Sequence, residues 1–118
     1  VDLRFRSFVY SHFVFDGLVT YVEIHKENYL PLGMTENDAG SKVNLISQLD
    51  NHPIWVSFCE QNDGQIRVEF RSDGSYDVQQ VAVKFGGGGH LCASGCRLDS
   101  FDKVKEVVAA CNQARKIK

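Results

Sequence analysis

Two stretches hold residue types suited to binding an anion: Arg71-Ser72, and Lys84-Phe85-Gly86-Gly87-Gly88-Gly89-His90. Arginine presents a planar fork of N–H donors that matches a phosphate. Ser72 adds a hydroxyl donor, and His90 adds a ring donor that strengthens when protonated beside an anion. Four consecutive glycines weaken a fold and need a reason to be present. A ligand can approach their backbone closely, and their N–H groups can cradle an anion. Phe85 and Leu91 bracket the run, which predicts that it packs at both ends. The residues alone leave two readings of each feature. Arg71 is a ligand arginine or a sheet arginine paired with Glu69 or Asp73, and the glycines form a ligand loop or a tight packing corner.

Other chemistries are excluded by what the chain lacks. No Lys-Ser/Thr pair follows the glycines, so the run is not an NTPase phosphate loop. No Asp-x-Asp or Asp-His-His run offers a two-metal site. Cys92 lies two residues from His90, without an acid or an oxyanion donor to complete a nucleophile. The four cysteines, Cys59, Cys92, Cys96 and Cys111, include no C-x-x-C spacing and read as reduced thiols of a cytoplasmic protein. The net charge is −2 over 118 residues, so phosphate binding must come from a local cluster, not a global field. No apolar run is long enough to span a membrane. The chain starts without methionine, which reads as an excised part of a larger protein.

The elements that must hold these residues can be read in chain order. Residues 7–15 are aromatic and β-branched, and Asp16-Gly17 separates them from Leu18 to His25. That pattern predicts a hairpin of strands 7–15 and 18–26. Thr35 and Asp38 mark a helix start, and Val43, Ile46 and Leu49 predict a helix over 39–49. Residues 54–59 and 65–71 predict a second hairpin around Asn62-Asp63-Gly64. Its Ile66, Val68 and Phe70 share one face, and Arg67, Glu69 and Arg71 the other. Asp77 caps a short helix carrying Val78, Val81, Ala82 and Phe85, and Gly86 stops it. Residues 93–98 predict a fifth strand, and Ser100 opens a last helix with a stripe from Phe101 to Cys111. The whole reads as one α+β domain over 1–118, a mixed sheet of about five strands with three helices packed on it.

The motifs Phe70-Arg71-Ser72, Asp77-Val78, Lys84 to His90 and Ala93-Ser94-Gly95 together resemble the DHH-associated domain. That domain is the C-terminal, substrate-binding half of DHH-family phosphoesterases, and the pattern is most similar to the nano-RNase type. The family more often has two alanines where this chain has Ala93-Ser94, and an acidic-glycine pair where it has Ser41-Lys42. The resemblance implies a substrate-recognition domain of an enzyme hydrolysing short oligoribonucleotides or 3′-phosphoadenosine 5′-phosphate. It gives substrate-binding roles to Arg71, Ser72, Gly87, Gly88, Gly89 and His90. It places the catalytic motifs and manganese in an N-terminal DHH domain absent from this chain, which alone would bind without hydrolysing. A homodimer of the full-length enzyme is compatible with it. The alternative from another class is a stand-alone, non-enzymatic module that binds nucleotides or RNA.

Overall fold

The first predicted strand is a helix. The computed structural model describes residues 2–117 and places α1 at Leu3–His12, followed by a short strand β1 at Val14–Asp16. Asp2 caps α1, its carboxylate accepting from the Arg4 N–H at 2.7 Å. Phe5 and Val9 are the residues that α1 buries, one turn apart. Strand alternation would have put Val9 on one face with Ser7 and Ser11. Helical spacing instead joins Val9 to Phe5, and that packing overrides the β propensity of the aromatic residues.

The other early elements run as β2 (Val19–Ile24) and α2 (Glu36–Gly40), followed by 3-10 turns at Val43–Ile46 and Leu49–Asn51. The predicted hairpin turn at Asp16-Gly17 is present, with Gly17 at φ +60° and β1 antiparallel to β2. Asn112 holds it against the last helix, accepting from the Leu18 N–H at 2.8 Å and donating to the Asp16 carbonyl at 3.1 Å. Thr35 and Asp38 form a reciprocal capping box at the start of α2. The predicted helix over 39–49 is absent. A repeat of three residues is the period of a 3-10 helix, and Val43 and Ile46 are buried on such a turn. Gln48, Asp50 and Asn51 then adopt left-handed backbone angles, which no α-helix tolerates.

The remaining elements are β3 (Ile54–Glu60), β4 (Ile66–Ser72), α3 (Gln79–Lys84), β5 (Gly88–His90), β6 (Ala93–Leu98) and α4 (Val104–Asn112). The sheet has six strands in the order β1-β2-β3-β4-β6-β5, with β2 and β3 parallel and every other pair antiparallel. The extra strand, β5, is part of the glycine run, which has no side chains to reveal an alternation. Helices α3 and α4 pack on one face, against Val56, Phe58, Val68 and Phe70. Helices α1 and α2 and the first 3-10 turn cover the other, against Val22, Ile24, Trp55 and Cys59. Burial pushes the Cys59 and Cys111 thiols up to about 12 and that of Cys96 to about 11, so they serve as apolar filling.

Candidate functional site

The α1/α2 layer covers β2 and β3 and leaves β4, β6 and β5 without an apolar cover on that face. Strand pairing fixes what this open half-sheet presents. Arg71 stands opposite Ala93, and Ala93 stands opposite His90. Directly opposed residues point to the same face, so Arg71, Ala93 and His90 form one row across three strands. Two strand spacings separate the ends of that row, about 10 Å. The methyl group of Ala93 between them leaves the space above the row free. On the far side of Arg71 the row continues to Trp55, whose indole N–H donates to the Asn44 side chain at 3.0 Å.

Arg71 is held in place by its neighbours. Its Nη2 donates to Glu69 Oε1 at 3.2 Å, and its Nη1 donates to the Phe70 carbonyl at 2.8 Å. The Nε–H and a second Nη2 proton have no acceptor among the described residues, and the side chain is 26% exposed. Arg71 therefore pairs with Glu69, as one of the two sequence readings has it, and retains N–H donors without a protein acceptor. Ser72 lies one residue on, and its side chain points to the opposite, α3/α4 face. Its hydroxyl donates to the Tyr76 carbonyl at 2.7 Å and accepts from the Gly74 N–H at 3.3 Å. Ser72 thus closes the turn after β4 and fixes the end of the strand that carries Arg71.

The four glycines have four different surroundings. Gly86 sits at φ +85° and ends α3, its N–H bonding to the Val83 carbonyl at 3.0 Å. The Gly87 N–H bonds to the Ala82 carbonyl at 2.8 Å, completing a Schellman cap. These two N–H groups are spent on the helix, so the run does not offer four successive donors to an anion. A Cβ on Gly87 would overlap the Gly95 carbonyl oxygen and lie 2.7 Å from Cys96 Cβ. Gly89, at φ +138°, would place a Cβ 2.7 Å from Ser94 Cα. Gly88 differs from all three. A Cβ there would meet nothing within 4 Å, and its backbone angle is not in the left-handed range. It shares the open face with Gly95 and Glu69, beside the Arg71–His90 row. No packing constraint accounts for a glycine at this position, and its bare backbone leaves the space above it open.

Gln79, which the sequence did not single out, and Ser94 and Glu69, which it named without these roles, hold the site together. Gln79 Nε2 donates to the Gly89 carbonyl at 2.6 Å and pins β5 to the start of α3. The Ser94 hydroxyl donates to the Val78 carbonyl at 3.0 Å beneath it. Glu69 binds Arg71 with one oxygen and Arg67 with the other, at 3.2 and 3.3 Å. A Cβ on Gly95 would lie 2.9 Å from the Val68 carbonyl oxygen and 3.1 Å from Glu69 Oε2, so the glycine makes room for the neighbouring β4 backbone and for this clamp. The one sequence signal for it is the charge alternation Arg67, Glu69, Arg71. His12 and His25 line a separate cleft of about 340 Å³ with Tyr21 and Glu23, away from the open half-sheet. Among the described residues no three His, Cys, Asp or Glu side chains converge as metal ligands. The open face, with three arginines, one histidine and one carboxylate, does not fit a manganese centre.

Comparison with known proteins identifies the family and the fold. The DHHA1 domain family matches residues 17–116. The bifunctional oligoribonuclease and PAP phosphatase NrnA of Mycoplasma genitalium is 40% identical over 110 residues, covering 93% of this chain and 34% of that protein. Its counterpart from Mycoplasma pneumoniae is 35% identical over 112 residues, covering 95% and 34%. The chain therefore spans about a third of the length of these relatives. Among solved structures, an exopolyphosphatase-related protein from Bacteroides fragilis superposes with a TM-score of 0.81 at 23% identity, covering 94% of this chain and 34% of the other. The pGpG-specific phosphodiesterase PggH from Vibrio cholerae gives 0.67 at 14%, covering 92% and 36%. These two share the fold. With the family model matching residues 17–116 and relatives at 35–40% identity over more than nine-tenths of its length, this chain belongs to the DHHA1 domain family.

Proposed function

We propose that the chain, over 1–118, is the substrate-recognition domain of a two-domain, metal-dependent phosphoesterase acting on short oligoribonucleotides or 3′-phosphoadenosine 5′-phosphate. The observation that carries this reading is the row Arg71–Ala93–His90 on an uncovered half-sheet, with the bare backbone of Gly88 beside it. The relatives named as oligoribonuclease and PAP phosphatase support the substrate class. Arg71 supplies a held fork of donors to a phosphate group. His90, exposed at the sheet edge, binds the same ligand from the other end of the row. Gly88 admits the sugar or base against the backbone, with Gly87 and Gly89 holding β5 to β6 beneath it. Ser72 acts from behind, by fixing the end of β4.

In this reading the catalytic residues and manganese belong to an N-terminal DHH domain of the same polypeptide. The residues described here neither hold the metal nor act through it. The chain alone binds substrate and does not hydrolyse it. A cytoplasmic enzyme, homodimeric when full-length, fits the reading; among the described residues no helix is long and apolar enough to cross a membrane.

Calorimetric titration of the chain with adenosine 3′,5′-bisphosphate tests the proposal. Saturable binding is expected, and His90→Ala should weaken it about tenfold, the scale of one charge-assisted hydrogen bond. No binding at millimolar ligand, or a His90→Ala variant that binds like the parent chain, would overturn it.

A further inference from the structure

The open half-sheet continues past the Arg71–His90 row into a second basic groove. Two rows along, Arg67 and Arg97 stand directly opposite each other on β4 and β6. Like charges in that relation destabilise a sheet unless something compensates them. Arg67 is anchored: its Nε donates to Glu69 at 3.3 Å and its Nη1 to the Asn37 side chain at 3.0 Å. Its stem lies over Gly40, where a Cβ would be 3.0 Å from Arg67 Cδ. Glu69 divides its single charge between Arg67 and Arg71. Arg97 is exposed and has no ion-pair partner among the described residues. Arg67, Arg97 and the Glu69 carboxylate, its charge already shared with Arg67 and Arg71, line a groove of about 380 Å³ together with Gly86, Gly87, Gly95 and Cys96.

We infer that this groove is a second phosphate subsite, taking a further phosphodiester of an oligoribonucleotide whose first phosphate lies in the Arg71–His90 row. The inference rests on the substrate reading proposed above and adds the feature that tells an oligonucleotide from a mononucleotide. The two arginine rows are four residues apart along β4, about 13 Å. A mononucleotide seated in the first row does not extend to the second, whereas a chain of several nucleotides does. A charged groove with a glycine floor tracks a single-stranded backbone without reading its bases.

The test compares adenosine 3′,5′-bisphosphate with tetra-adenylate, binding each to the parent chain, Arg97→Ala, Arg97→Lys and Arg71→Ala at several salt concentrations. Arg97→Ala should lose about tenfold in affinity for tetra-adenylate and keep bisphosphate affinity within about twofold. Its salt slope for tetra-adenylate should shrink by about 0.7, one phosphate contact on a single strand. Arg97→Lys should recover most of the loss, because a point charge suffices there. Unchanged tetra-adenylate affinity in Arg97→Ala, or an equal loss for both ligands, overturns the subsite. If the parent chain binds both ligands through Arg71 while Arg97→Ala is silent, the subsite alone fails. If the parent chain binds neither, the substrate reading fails with it.

Discussion

Gly87→Ala is expected to destabilise the chain by about 3 kcal/mol, the upper range for forcing atoms into a packed site. The added methyl would strike the Gly95 carbonyl and the backbone of Cys96, 2.8 Å from Cys96 Cα, and backbone cannot swing aside as a side-chain end can. Relief requires β5 to peel from β6, which also strains the cap that Gly87 completes on α3. Urea unfolding should show a lowered midpoint, and hydrogen exchange should show early loss of protection in 88–90. Gly88→Ala is the matched opposite. Its methyl enters open space, and alanine in a strand is favoured over glycine by about 0.5–1 kcal/mol, so stability should hold or rise. Its affinity for adenosine 3′,5′-bisphosphate should nonetheless fall about tenfold, since the methyl occupies the ligand's approach. A Gly88→Ala chain that binds normally would remove Gly88 from the site.

Arg71→Ala should lower affinity for the bisphosphate about 10- to 100-fold, the range of one or two charge-assisted hydrogen bonds. The loss has two sources. The fork of donors disappears, and Glu69, only 18% exposed, is left with Arg67 alone and faces the incoming phosphate with less of its charge neutralised. Arg71→Lys separates them. A lysine keeps the positive charge against Glu69 but cannot present the fork, so it should recover stability more fully than affinity. Equal recovery of both would mean that Arg71 serves only to neutralise Glu69.

The half of the fold that builds the site was more legible than the half that flanks it. Strand β4 alternates cleanly because one face is core and the other polar, β3 reads as a continuous apolar run because both its faces are buried, and Asn62-Asp63-Gly64 marks the turn between them. Helix α4 shows its buried stripe for the same reason. Helix α1 reads as a strand because its aromatic residues favour strands while only Phe5 and Val9 are fully buried, with Phe8 packed beside them. The segment 39–49 was misread because two periods, 3.0 and 3.6, are hard to tell apart over ten residues. Strand β5 was invisible for lack of side chains. At the site, Arg71, His90 and the glycines stood out by residue type. That Arg71 and His90 share a face, and that Ser72 faces the other way, depends on the β4–β6–β5 register, in which β5 is nearest to β4 only through β6. No local pattern carries that long-range order.

The most direct test of the central claim is a two-dimensional amide NMR titration of the chain with adenosine 3′,5′-bisphosphate. The account predicts that the largest shifts fall on Arg71, Gly88, His90, Ala93 and Gly95, on one face and three adjacent strands. Shifts concentrated instead along the α3–α4 groove at Lys84, Gln113 and Arg115, or in the cleft of His12 and His25, would contradict it.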